Sequence, residues 1–145
     1  IAASVEVVLG PAAPYLEAVR AQAASMRPPV RVRVGVNDMA SLMADADLAI
    51  GAVGTTSWER CCLGLPSAVM VIADNQRLIG ENLQQAGATL ALGQLPDVDA
   101  QAIANAVSRL CADSDSLLRM SQAAAAICDG EGARRVSKIL DNMTA

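Results

Sequence analysis

An α/β fold, with a parallel sheet flanked by helices, is what this sequence predicts, and three observations predict it. Short apolar runs alternate with segments whose apolar residues recur at helical spacing. Glycines close the runs at Gly10, Gly35 and Gly51. The stretch from Asp47 to Ala73 reads, in one sweep, as strand, glycine turn, helix, glycine–proline stop and strand. At 145 residues the chain is long enough for a sizeable core, so residues 1–145 are expected to form a single domain. Hydrophobic residues make up 53% of it, yet there is one Trp, one Tyr and no Phe. The core must therefore be packed from Ala, Val, Leu, Ile and Met.

Val5 to Leu9 is an apolar run ending at Gly10, the pattern of a buried strand. Pro14 suits a first helical turn, after which Leu16, Val19, Ala23 and Met26 recur at helical spacing until Arg27-Pro28-Pro29 stops them. Residues 30–36 alternate strictly: Val30, Val32, Val34 and Val36 face one way, Arg31, Arg33 and Gly35 the other. That predicts a strand wet on one face, at a sheet edge. Asn37 or Asp38 can cap a short helix carrying Met39, Leu42 and Met43 on one face. After the Asp47–Ala73 unit come Asp74-Asn75-Gln76, then a helix with Leu78, Ile79, Leu83 and Ala86 closed by Gly87. Thr89 to Leu92 is a last short strand, residues 99–112 and 115–128 read as helices, and Val136, Ile139, Leu140 and Met143 stripe a final helix.

Right-handed crossovers put every strand-to-helix loop at one end of a parallel sheet, where ligands of such folds bind. Three loops should converge there: Gly35 to Met39, Gly51 to Ser57, and Ala73 to Gln76. The second carries the most chemistry. Gly54 permits a positive φ or the close approach of a ligand. Thr55 or Thr56 can cap the next helix, and Thr56-Ser57-Trp58-Glu59 fits the S/T-x-x-E capping box. A glycine loop opening a helix is a ready anion site, because free N–H groups point outward and the helix dipole adds partial positive charge. A nucleotide diphosphate is expected there. The bland alternative is that a β-turn-α unit needs a glycine and a cap whatever it binds, and that Glu59 is only the capping carboxylate. The loop is neither G-x-x-x-x-G-K-[ST] nor a clean G-x-G-x-x-G.

The net charge of −4, without a basic cluster, makes nucleic acid and acidic membranes poor partners. A phosphate site here should depend on backbone N–H groups more than on cations. Four cysteines without a C-x-x-C pair, and no histidine, argue against a metal site, and no cofactor is implied. The cysteines are expected to be small buried hydrophobes in a reducing cytoplasm. No apolar run reaches the ~20 residues of a membrane span and no signal peptide is evident. Starting at Ile1 directly before a strand, the chain is read as a piece of something longer.

G-A-V-G-T-T-S-W-E-R-C-C-L-G-L-P followed by A-D-N-Q-R-L-I resembles the carboxyl-terminal half of the nucleotide-sugar hydrolases of pseudaminic acid biosynthesis. M-A-S-L-M-A-D-A-D-L-A-I-G-A upstream and D-G-E-G-A-R-R-V downstream extend the likeness from Val5 to Leu140. More distantly the chain resembles the nucleotide-binding half of two-domain glycosyltransferases such as those forming lipid II. The resemblance implies a Rossmann-like domain, the C-terminal half of a GT-B fold, here lacking its first strand. It implies removal of UDP from a UDP-diacetamido-trideoxyhexose by inverting attack of water at the anomeric carbon, without a metal. Uracil would lie on Val34 to Asn37, with Val36 against it. The diphosphate would lie on Gly54, Thr55, Thr56 and Ser57, the ribose hydroxyls on Glu59, and the distal phosphate or sugar on Asn75 and Gln76. The partners implied are UDP or a UDP-sugar, the missing amino-terminal domain, and a further copy of the chain through the interface left exposed. The family's general base is a histidine of the amino-terminal domain, so no catalytic residue is expected here and the fragment alone should be inactive. The competing expectations are the UDP-sugar-binding half of a glycosyltransferase, which would use an acceptor in place of water, and a nucleotide-binding module without chemistry. Trp58 is expected in core or interface, Arg60 as a solvated or interdomain charge, and Asn82 facing solvent.

Overall fold

The computed structural model describes residues 4–143. It divides into two compact units, one running to Met39 and one from Ala40.

The first unit holds β1 (Val5–Leu9), α1 (Leu16–Ser25) and β2 (Val30–Val34). The two strands pair in parallel, Val5 opposite Val30 through Leu9 opposite Val34. The predicted alternation holds in β2, whose valines are half-buried and whose arginines are exposed. Those arginines clasp the carboxylate of Glu6 on β1: Arg31 donates to it at 3.1 Å and Arg33 at 2.6 Å. The strand ends at Val34, two residues short of the predicted end, because Gly35 turns the backbone to φ +61. β1 is not the buried strand its pattern predicts. Val5 and Val8 are exposed, since in a two-stranded sheet β1 has one neighbour, and the helix of this unit packs on β2.

Helix α2 (Met39–Ala44) crosses the border between the units and buries Met43. In the second unit follow β3 (Ala49–Ala52), α3 (Thr56–Cys62), β4 (Ser67–Val71), a single 3₁₀ turn (Asp74–Gln76), α4 (Arg77–Gln85) and β5 (Thr89–Gln94). Helices α5 (Ala100–Ala112), α6 (Ser114–Ala125) and α7 (Gly132–Met143) complete it. Its strands lie in the order β3-β4-β5, all parallel, with β4 central and its Ala68 and Val69 fully buried. The described strands thus form two parallel sheets, not the one predicted: ladder bonds join β1 only to β2, and β3 only to β4.

The core is built from small and aliphatic residues, as a chain without Phe requires. One cluster joins Cys61, Leu83, Ala88 and Ala124, another Ala68, Leu110 and Met120. Gly80 brings α4 close to the sheet: a Cβ there would stand 3.3 Å from a methyl of Val53. The boundaries of α5 and α6 have a clear cause. Asp99 accepts from the Ala102 N–H at 2.7 Å and Asp113 from the Ser116 N–H at 2.9 Å, side-chain caps for otherwise orphaned donors. The stripe Val136, Ile139, Leu140 and Met143 lies on the predicted final helix, α7, and is exposed. One expectation fails here. Of the cysteines only Cys61 is buried; Cys62 and Cys111 are exposed and Cys128 is half-buried.

The D-G-E-G-A-R-R segment forms a closed corner before α7. Asp129 accepts from the Glu131 N–H and from the Arg135 guanidinium, and Glu131 pairs with Arg134. The Arg135 guanidinium, aided by that N–H, holds the Asp129 carboxyl down at about 2. A carboxyl lowered in the folded state stabilises fully above its unfolded pKa of ~3.9 and loses that contribution as pH falls toward the folded value. Thermal melts from pH 6 to pH 2 should therefore fall more steeply between pH 4 and pH 2 for the native chain than for Asp129→Asn. Parallel curves would remove this corner from the acid response.

Among the described residues, no group of three or more His, Cys, Asp or Glu is placed to hold a metal ion. No helix there is long and apolar enough to cross a membrane.

Candidate functional site

The loop between β3 and α3 is built differently from the capping box its sequence fits. Thr55 precedes the helix with helical angles (φ −57, ψ −35), and no side chain caps the helix. Tight turn bonds do that work: Ser57 N–H donates to the Gly54 carbonyl and Trp58 N–H to the Thr55 carbonyl, both at 3.0 Å. Glu59 is therefore not a capping carboxylate. It is exposed, one helical turn beyond the loop, and forms no ion pair among the described residues. With turn bonds occupying the next two donors, the N–H groups of Thr55 and Thr56 have no acceptor among the described residues. Both residues are exposed. At seven residues α3 carries little dipole, so directed N–H donors rather than the macrodipole make this loop suited to an anion.

Gly54 is not in the positive-φ region, so backbone strain is not why glycine stands there. A Cβ at this position would meet only Gln76 Nε2, at an ordinary 3.8 Å. The protein has room for a side chain at Gly54; the open approach to the loop is what glycine preserves.

The same distance shows that two of the three predicted loops do meet, with Gln76 standing over Gly54. Its orientation is fixed, because Gln76 Oε1 accepts from the Ile72 N–H at 3.1 Å and leaves Nε2 toward the glycine. Asn75 is exposed within the 3₁₀ turn, and α4 has no side-chain cap, so Asn75 does not cap that helix. The structure thus brings Gly54, Thr55, Thr56, Ser57 and Gln76 into one neighbourhood, with Glu59 and Asn75 exposed at its flanks. Val36 lies in the first unit, half-buried after Gly35. Trp58 and Asn82 are both exposed.

Ser57 is held beneath the loop, 1% exposed, and does not face out as a ligand contact. Its hydroxyl oxygen accepts from the Gly54 N–H at 3.3 Å and from Arg60 Nη2 at 3.0 Å. Arg60 is the residue that sequence reasoning misplaced. It is 5% exposed, and its Nη2 also donates to the Ala52 carbonyl at 2.8 Å. Burial pulls its pKa below the ordinary guanidinium value, against weaker fields from Cys61 and Glu59 that raise it. Gly51 makes room: a Cβ there would lie 3.1 Å from Arg60 Nη1. A signal was available, since Ser57, Arg60 and Cys61 share the i, i+3, i+4 face that α3 buries.

No family model matches the chain. It is 32% identical over 136 residues to the spore coat polysaccharide biosynthesis protein SpsG of Bacillus subtilis, an alignment covering 94% of this chain and 40% of that protein. It is 32% identical over 127 residues to the UDP-N-acetylglucosamine--N-acetylmuramyl-(pentapeptide) pyrophosphoryl-undecaprenol N-acetylglucosamine transferase of Chromobacterium violaceum, covering 84% of this chain and 34% of that one. Among solved structures, the spinosyn rhamnosyltransferase SpnG superposes with a TM-score of 0.60 at 20% identity, over 92% of this chain and 35% of that one. The chain is similar in sequence to SpsG, and like the solved rhamnosyltransferase it has an α/β fold of parallel sheets flanked by helices. It spans about 30–40% of the length of the curated relatives it matches.

Proposed function

We propose that this chain is the nucleotide-sugar-binding half of a GT-B-type enzyme that takes a UDP-sugar in polysaccharide assembly. The observation that carries the reading is the Gly51–Ser57 loop, with the two free N–H groups of Thr55 and Thr56, an unpaired Glu59 one turn on, and Gln76 over Gly54. Backbone donors hold the diphosphate, the Glu59 carboxylate accepts from the ribose diol, and the amides of Asn75 and Gln76 supply the donor–acceptor pairs a sugar needs. Loop donors aimed at the diphosphate would also stabilise the charge that develops as it departs.

The names of the relatives favour transfer over hydrolysis. Two of them are transferases acting with UDP-N-acetylglucosamine, and the name SpsG states no reaction. The hydrolase expected from W-E-R-C-C-L-G-L-P is the narrower form of the same proposal, with water replacing the acceptor. The resemblance assigns the general base of the hydrolase form to a histidine, a residue this chain does not contain, so the chain alone is expected to bind UDP without turning over a UDP-sugar.

Calorimetric titration of the chain with UDP tests the reading. Binding with a Kd below ~1 mM is expected, with amide NMR shifts concentrated at Gly54, Thr55, Thr56 and Gln76. Absence of binding, or shifts elsewhere, would overturn it. Gly54→Ala separates site from scaffold: its melting temperature should stay within about 2 °C of the parent because neither strain nor clash arises, while UDP binding weakens.

A further inference from the structure

We infer that Arg60 is a buried positive floor beneath the glycine loop, held by Ala52 and Ser57, and that it makes the site select a diphosphate over a monophosphate or an uncharged nucleoside. The inference rests on the UDP reading above and deepens it.

The starting point is a buried charge with no ion-pair partner among the described residues, only the weaker fields of Cys61 and Glu59. Arg60 is 5% exposed. Its hydrogen-bond partners are both neutral, the Ala52 carbonyl and the Ser57 hydroxyl, and its Nε has no partner among the described residues. No ion pair of the described residues includes it. Buried charges are ordinarily paired, because stripping water from an ion is costly unless an opposite charge offsets it. A fold that needed only a space-filler behind Gly51 would be better served by an apolar side chain. The guanidinium is instead directed at the loop by two specific bonds, and Gly51 is bare where its Nη1 passes.

The anion that offsets this charge must approach from outside, and the loop is where it can. Ser57 Oγ links the two layers, accepting from Arg60 on the inner side and from the Gly54 N–H above. Both of its acceptor positions are thereby filled, so its single proton is left to donate. The Thr55 and Thr56 N–H groups stand free on the same loop. The surface charge that composition seemed to deny a phosphate site is thus present after all, placed underneath. A charge fixed in poorly solvated surroundings attracts in proportion to the ligand's own charge. It therefore favours UDP over UMP, and UMP over uridine, without touching the base or the ribose.

The test is titration of the native chain, Arg60→Gln and Arg60→Lys with UDP, UMP and uridine, alongside thermal melts. The native chain should prefer UDP to uridine. Arg60→Gln should weaken UDP about tenfold and UMP less, leaving uridine unchanged. Arg60→Lys, which keeps the charge but loses the fork, should retain most of the preference. Equal weakening of all three ligands in Arg60→Gln would assign Arg60 a purely structural role and overturn the inference. So would an unchanged UDP-to-uridine ratio, the outcome expected if the charge is paired by a carboxylate of another domain. If neither variant folds, the native chain still decides: uridine bound as tightly as UDP refutes selection by charge. Failure of the native chain to bind UDP at all would instead sink the underlying reading.

Discussion

Leu83→Ala is expected to cost about 2–5 kcal/mol of folding stability, toward the upper end of that range. Leu83 is 2% exposed and sits in a cluster whose other buried members are Cys61, Ala88 and Ala124, with Ile79, Ala123 and Cys128 packed against it. Most of these neighbours are short. When a long side chain is removed from among long ones, they swing in and part of the cavity closes. Alanines and cysteines have almost no reach, so the void persists and its lining loses contacts outright. Against a typical domain stability of about 5–15 kcal/mol such a loss is severe. It should lower the melting temperature by roughly 5–15 °C. Leu83→Met, which nearly conserves volume, should cost less than about 1.5 kcal/mol. A melting temperature for Leu83→Ala within a degree or two of the parent would mean the cluster collapses freely, contrary to its composition. The effect should reach the loop, because Cys61 lies in that cluster and adjoins Arg60 on α3.

Much of this architecture was legible because it is written in local pattern. The Arg–Val alternation of β2 and the helical spacing of residues 99–112 depend only on residues a few positions apart. The order of strands and helices follows from the same kind of signal, and it suffices for the fold class. What escaped depends on backbone conformation and burial, which residue letters alone do not carry. The guanidinium of Arg60 is buried because Gly51, on a neighbouring strand, leaves it space, and charge alone argued for solvent. The capping box at Thr56 matched in letters but not in conformation: Thr55 already has helical angles, so the turn closes on backbone bonds and Glu59 is released. The exposure of β1 could not be read either, since an apolar run looks the same whether a strand has one neighbour or two. The candidate residues of the second unit were legible as a group, through topology that places loop ends together. Their division into an outer layer of donors and an inner layer of support was not.

Release of Glu59 from any capping role leads to the second large effect, Glu59→Gln weakening UDP binding by about 1–3 kcal/mol, the scale for losing hydrogen bonds to a charged acceptor. A carboxylate at this distance past the loop suits the ribose, whose two hydroxyls are donors to a group with acceptors alone. Glutamine keeps the length and one acceptor but loses the charge and the second acceptor. The folded state should be indifferent, because Glu59 is exposed and no ion pair among the described residues uses it. Unchanged melting with weakened UDP binding is therefore the expected pair of results. A ligand lacking one hydroxyl makes the test specific. If Glu59 holds the diol, 2′-deoxy-UDP should bind the native chain more weakly than UDP, and Glu59→Gln should penalise it less than it penalises UDP, a coupling between side chain and hydroxyl. Equal penalties on the two ligands would show that Glu59 acts on the bound nucleotide only through its charge. No penalty on either would remove it from the site and leave Thr55, Thr56 and Gln76 to hold the nucleotide without it.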